Sequence, residues 1–409
     1  MATASVTLPA RTGQPGRQPV VPLGGPTSAA ALWERALWAL AAAGIAAGAF
    51  GLVQRLTLGH LAANYGSYIP WGLWIALYVA GVGAAAGAFS VAGLAYLAGV
   101  RALRPIAPLA LVASGASMAA GLTFVWLDLG RPERALNLLL RWSPRSVMGW
   151  MTVFYGLFTL ALVALLYAVW TKREGWLRPL AAAGTAVMVA FAGGEGALFG
   201  VLGARPYWNS GMRPIEFLAG GLLAGVAVVA IAAATVLERG ERRRAALLAL
   251  RPYLLALLGL NALLLWAETT LSLYAAIPAH AEAYRLVLQG PHAWVFWGIQ
   301  VAVGIILPLA LLARPVPATV GFAGLAILVG YVGSKLNMVI PGLAVSELQG
   351  LASAYVHERL TFHYLPSAAE WLLAGGVVGM ALVLFLGASR LLRVTSVESP
   401  AAEPAAIAP

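Results

Sequence analysis

Apolar residues run along this chain in long stretches separated by short polar gaps. They cover approximately residues 31–56, 69–100, 106–129, 147–171, 179–203, 215–237, 251–276, 293–313, 317–339 and 370–393. Each holds about 20 residues or more, enough for a helix to cross roughly 30 Å of hydrocarbon. A backbone in lipid must satisfy its own polar groups, and runs of this length rich in Ala, Leu and Gly do so as helices rather than as the short alternating strands of a barrel. The pattern predicts an all-α polytopic membrane protein with about ten transmembrane helices. Residues 1–30 are rich in Pro, Gly and Thr without an apolar run, so they read as a flexible tail and not as a signal peptide. Residues 394–409 read as a second tail, flanking a transmembrane domain over 31–393.

A repeat lies inside the pattern. The third stretch ends in Trp126-Leu-Asp128, and Trp266-Ala-Glu268 follows 140 residues later in the seventh. GWMTVFYG at the start of the fourth is echoed by AWVFWG at the start of the eighth, while Pro179 and Pro317 open the fifth and ninth. Stretches 2–5 and 6–9 therefore read as two four-helix bundles, flanked by helices 1 and 10.

Composition agrees with a bilayer as solvent: 61% of the 409 residues are hydrophobic and 10% charged, and the mean hydropathy is +0.84. The formal net charge is +11, but the basic residues are scattered through the gaps, which argues for orientation in a membrane and against a nucleic-acid partner. Sixteen of the 26 Lys and Arg residues fall on the side of the N-terminus: in the two tails, at Arg35, and in the connections near 101–104, 172–178, 239–251, 314 and 390. The positive-inside rule then places both termini in the cytoplasm, in the cell (inner) membrane. There is no cysteine to hold an iron–sulfur cluster. His60, His280, His292, His357 and His363 all fall in or beside connections, so no pair faces across the bundle to bind haem. No metal site is expected.

Acids inside hydrocarbon cost about 2.5–3.5 kcal/mol each on insertion scales, and so mark function. Glu195, in FAGGEGALFG, lies about eight residues before the outer end of its stretch, roughly 12 Å deep at 1.5 Å per residue. Tyr78 lies equally deep in the second stretch, and Asp128 ends the third. These three are expected to line one pocket, where Gly81, Gly83, Gly87, Gly193, Gly194 and Gly196 allow close helix approach or room for a flat ligand. Asp128 can equally anchor its helix end by pairing with Arg131 or Arg134. Glu268, beside Thr269, Thr270 and Ser272, suggests a polar track in the second bundle, though such hydroxyls often bond the preceding turn. Trp71, Trp142 and Trp150 fit an interfacial belt.

Several motifs together carry a family resemblance. WLDLGRPER with its Trp-Ser-Pro loop and MGWMTVFYG, IPWGLWIALYVAGVGAAAGAF, ARPYWNSGMRP, KLNMVIPGL and LTFHYLPSAAEW resemble the NrfD/PsrC family of polysulfide-reductase-like membrane subunits over about residues 65–393. Chain length and the last motif look closest to its longer, ten-helix, HybB-like branch. The resemblance implies a quinone-reactive subunit without its own redox metal, using menaquinone or ubiquinone. It also implies docking to an extracytoplasmic four-cluster ferredoxin-like iron–sulfur subunit, which serves a molybdopterin oxidoreductase or a hydrogenase catalytic subunit. The quinone pocket it implies lies in the first bundle near the outer face. Two departures stand out: Tyr78 replaces a quinone-bonding histidine of shorter members, and Glu195 sits near a position that is often tyrosine.

On this reading Tyr78, Trp126, Asp128, Arg131 and Glu195 contact the quinone, Asp128 and Glu195 handle its protons, and Glu268 offers a proton path. The outer loop Gly130–Arg145 closes over the head group and presents Arg131, Arg134, Arg141 and Arg145 to the partner. The rival readings are a secondary transporter built from two repeated bundles and a purely structural membrane anchor.

Overall fold

The computed structural model describes residues 28–275, 278–346, 348, 350–355, 357 and 359–392. The tail expectations for 1–27 and 393–409, including Arg11, Arg17 and Arg393, lie outside the described residues.

Ten long apolar helices are present, numbered here α1 (Ser28–Leu58), α2 (Leu73–Tyr96), α3 (Ala107–Asp128), α4 (Val147–Trp170), α5 (Glu174–Gly200), α6 (Arg213–Val236), α7 (Glu241–Tyr274), α8 (Val295–Leu312), α9 (Pro317–Ala344) and α10 (Ala368–Leu391). At about 1.5 Å per residue a 24-residue helix such as α2 runs about 36 Å, long enough to span a bilayer with some tilt. No strand occurs among the described residues. The chain is a multi-pass, all-α integral membrane protein. The long connections, including an amphipathic helix Pro278–Gln289, share one end of the bundle, here called the loop face.

Packing follows the repeat. Helix α2 packs on α3 as α6 packs on α7, α4 on α5 as α8 on α9, and α2 on α5 as α6 on α9. The bundles meet along α2 and α6, and their flanks match too: α5 lies on α6 as α9 lies on α2. Helix α1 lies against α10, and α10 against α3. The central seam needs glycine, because a Cβ on Gly225 of α6 would overlap the Gly87–Ala88 backbone of α2. Helices α2 and α6 are accordingly the most buried spans, whereas α1, α4 and α7 present large apolar side chains outward to lipid.

Several helix ends differ from expectation. Ile69-Pro70-Trp71-Gly72 stays extended ahead of α2, and α5 stops at Gly200, so Tyr78 and Glu195 are each five residues from their helix ends, roughly 7–8 Å deep. Helix α7 begins ten residues earlier than the apolar run because Glu241-Arg242-Arg243-Arg244 adds a polar first turn. Residues Val295–Ile306 of α8 wind as a π-helix up to the turn that contains Pro308.

Candidate functional site

Three helices of the first bundle bring hydroxyls onto one carboxyl. Tyr78 of α2 and Tyr155 of α4 share a hydrogen bond of 2.5 Å between their hydroxyls. Tyr155 Oη lies 3.5 Å from Glu195 Oε1 on α5, and Tyr78 also acts on that carboxyl. Phe191 packs edge-on to Tyr155, and Phe158 lies against Phe191, so the polar trio has aromatic walls. Glu195 is 1% exposed, and the two tyrosine hydroxyls are the hydrogen-bonding groups that act on its carboxyl, which offers about four lone-pair sites. Gly194 supplies the space for this arrangement, since a Cβ there would come to 2.9 Å from Met151 Sδ. The trio thus has unused acceptor sites inside an apolar, aromatic surround, and a protonated Glu195 can also donate.

Asp128 belongs to a different cluster. It is buried, and Arg55, Tyr65 and Glu370 are the groups that act on its carboxyl. Arg55 donates to the carbonyls of Leu127 (2.9 Å) and Leu129 (2.8 Å), the last turn of α3, and His60 lies 2.7 Å from the Asp128 carbonyl. Oδ1 of Asp128 has no hydrogen-bond partner among the described residues. No hydrogen bond joins it to Tyr78 or Glu195, so the three residues expected in one pocket occupy two sites. Nor does Arg131 or Arg134 pair with it. Arg55, 73 positions earlier in the chain, is the charged side chain that reaches this helix end, donating to its carbonyls and acting on Asp128 only through its charge, because α1 packs on α10 and α10 on α3.

The second bundle contains a cavity of about 130 Å³ between α6, α7, α8 and α9, lined by both polar and apolar side chains. Arg213 stands near its mouth, pairing with Glu216 at 2.6 Å and Glu268 at 3.2 Å and donating to the Tyr207 carbonyl at 2.6 Å. Deeper lie Asn337, which donates to Gln300 Oε1 at 2.8 Å, and Lys335, whose Nζ sits 3.7 Å from the centre of the Phe217 ring. Pro341 explains one anchor: lacking an N–H, it leaves the Asn337 carbonyl free, and Tyr207 Oη fills that vacancy at 3.0 Å. Glu268 therefore does line a partly polar space. Thr270 does not join it but bonds the Trp266 carbonyl one turn back at 2.7 Å.

Arg131, Arg134, Arg141 and Arg145 are all exposed on the loop face, beside exposed Leu136, Leu139, Leu140 and Trp142. Trp126 is 46% exposed, unlike the buried Tyr78 and Glu195. No group of three or more His, Asp or Glu residues able to hold a metal occurs among the described residues. Two site residues escaped the sequence reading. Tyr155 lies inside the quoted MGWMTVFYG motif, and Lys335 inside KLNMVIPGL.

Comparison with known proteins agrees with this architecture. A selenate reductase subunit of Mesobacillus selenatarsenatis is 30% identical over 379 residues, covering 83% of this chain and 89% of that protein. The Hdr-like menaquinol oxidoreductase integral membrane subunit of Archaeoglobus fulgidus is 24% identical over 329 residues, covering 78% and 83%. The family described as polysulphide reductase, NrfD, matches residues 62–347, a span that holds both bundles, the tyrosine–glutamate trio and the second-bundle cavity, and this chain belongs to that family.

Proposed function

We propose that this chain is the quinone-reactive membrane subunit of an oxidoreductase complex, and that Tyr78, Tyr155 and Glu195 form its quinone site. The observation that carries the assignment is a buried carboxyl joined to two tyrosine hydroxyls within about 8 Å of the loop face. A quinone bound there supplies two-electron, two-proton chemistry. Tyr78 and Tyr155 orient and hydrogen-bond its oxygens, and Glu195 holds or releases a proton beside them. Menaquinone is favoured by the printed name of the Archaeoglobus relative. Asp128, one helix away under the loop Gly130–Arg145, and Glu268 in the second bundle are further stations for protons.

With both termini in the cytoplasm of a cell (inner) membrane protein, the loop face is extracytoplasmic. There the exposed Arg131, Arg134, Arg141 and Arg145 and their neighbouring leucines offer a docking surface to a four-cluster ferredoxin-like iron–sulfur subunit, itself serving a molybdopterin or hydrogenase catalytic subunit.

Glu195→Gln keeps the size and hydrogen bonding of the side chain but cannot ionise. In the assembled complex it should lower quinone-linked turnover by on the order of 100-fold or more. Turnover with an artificial dye that takes electrons from the partner subunits should survive. Quinone-linked turnover within a few-fold of wild type removes Glu195 from the proton chemistry.

A further inference from the structure

The 140-residue offset that aligns Trp126 and Asp128 with Trp266 and Glu268 also aligns Glu195 with Lys335. An acid on α5 and an amine on α9 thus occupy equivalent places in the two bundles. Because α5 lies on α6 as α9 lies on α2, both approach the central seam, and each acts electrostatically on the other.

Lys335 is 4% exposed and makes no ion pair among the described residues. Its ammonium rests on the Phe217 ring at 3.7 Å and reaches the Tyr331 ring at 5.0 Å. It also lines the second-bundle cavity, whose mouth carries Glu216, Glu268 and Arg213. A water needs only about 10–15 Å³ of such volume, so about 130 Å³, with Asn261, Gln300, Asn337, Lys335, Glu216 and Glu268 set among apolar side chains, has room for several. Residue choice adds an independent observation. The chain uses arginine at 24 positions and lysine at only two, Lys172 and Lys335. A guanidinium does not release its proton in proteins, whereas an amine can.

We propose that protons exchanged at Glu195 travel to and from the loop face through the second bundle, with Lys335 as the relay between cavity water and the carboxyl. This rests on the quinone reading of the first-bundle site. When Glu195 gives its proton to the bound quinone, the Lys335 ammonium, which makes no ion pair with Glu195 among the described residues, passes one to the Glu195 carboxylate through an intervening water and becomes an amine. Cavity water then returns a proton to the amine and is itself replenished from the loop face past Glu216 and Glu268. The partner subunit supplies the electrons, and quinol oxidation runs the same path in reverse. Two elements divide the work: the first bundle holds the ring, and the second carries the proton.

The test uses the assembled complex with Lys335→Arg and Lys335→Ala. Lys335→Arg keeps the positive charge and cannot pass its proton on, so quinone-linked kcat should fall at least about tenfold with KM for quinone within about twofold and dye-linked activity retained. Lys335→Ala enlarges the cavity, and added ethylamine should restore turnover in proportion to its concentration, a rescue that a packing or charge role does not give. Wild-type turnover in Lys335→Arg overturns the relay, as does Lys335→Ala that is either fully active or unresponsive to amine. Should neither variant assemble, the wild-type complex decides the matter: a small water-soluble acetylating reagent should modify Lys335 and block quinone-linked but not dye-linked turnover, and labelling of Lys172 without Lys335 overturns the proposal. Loss of quinone activity in Glu195→Gln alongside an active Lys335→Arg leaves the quinone site standing and rejects only this route; an active Glu195→Gln rejects the quinone site itself.

Discussion

Glu370, at the start of α10, is fully buried and accepts three hydrogen bonds from outside its own helix: from the backbone N–H of Asn64 at 3.0 Å, from the N–H of Ser367 at 2.9 Å, and from the Tyr364 hydroxyl. Tyr364 Oη in turn accepts from the Leu73 N–H at 2.8 Å, the first residue of the helix that carries Tyr78 five positions on. Glu370→Ala leaves three donors without their acceptor, the Tyr364 hydroxyl in a buried position and the Asn64 and Ser367 N–H groups in part-buried ones. Each buried orphan costs about 1–3 kcal/mol, and because the three share one partner the total should fall short of additive, about 4 kcal/mol. Ser367 still caps α10 by accepting from the residue 370 N–H at 3.2 Å, so the helix persists, and its tie to residues 59–73 is reduced to Ser367 Oγ donating to the Ala62 carbonyl at 2.8 Å and Asn64 Nδ2 donating to the Leu365 carbonyl at 2.9 Å. Glu370→Gln keeps one oxygen for the two backbone donors but presents an amide to Tyr364, which should cost about half as much. Hydrogen–deuterium exchange on the purified complex reads this directly. At about 1.4 kcal/mol per tenfold, the amides of Asn64, Ser367 and Leu73 should exchange roughly a thousandfold faster in Glu370→Ala if they exchange by local opening. Unchanged protection at these amides, or equal losses in the Gln and Ala variants, refutes the reasoning.

The architecture was legible because its cause is local. A run of about 20 apolar residues must become a spanning helix wherever it lies, and a repeat that aligns Asp128 with Glu268 implies bundles that pack alike. The errors lie where structure depends on residues far apart in sequence. Arg131 is three positions from Asp128 and by spacing its natural partner, but Arg55 reaches the end of α3 across the fold. Glu370 drew no sequence reading, and only the fold shows its carboxyl meeting Asn64, 306 positions away. Tyr155 had a signal: it sits eight residues into α4, on a helix already tied to the site by its motif, yet an aromatic inside an apolar run looks like packing until its hydroxyl meets Tyr78. Lys335 falls by position among the basic residues that orient the chain, although one of two lysines among 26 basic residues, inside an apolar run, was the visible anomaly.

Two further outcomes follow from the same geometry. Tyr155→Phe removes the hydroxyl between Tyr78 and Glu195 with little change in packing. Losing a hydrogen bond of about 1 kcal/mol should lower quinone-linked kcat/KM roughly fivefold while leaving assembly intact, and unchanged kinetics would remove Tyr155 from the site. The second concerns the loop face at acid pH. His280, on the amphipathic helix Pro278–Gln289, and His292 just beyond it are both held below the ordinary imidazole value, chiefly by burial. The Tyr207 backbone opposes this at His280 and the Tyr364 backbone at His292, while the charges of Arg213 and His363 respectively add to the lowering. With folded values below the unfolded value of about 6.5, the unfolded chain binds more protons in the interval between them, so stability rises with pH there. The stabilisation is therefore complete above about pH 6.5 and is lost as pH falls through the folded values. Thermal unfolding of the purified complex should show a drop in midpoint on acidification below about pH 6.5, and His280→Gln with His292→Gln should flatten that drop while leaving the midpoint above about pH 7 nearly unchanged. A slope that survives the double substitution assigns the acid sensitivity to other groups: His60, likewise held below the ordinary imidazole value chiefly by burial, or carboxyl groups.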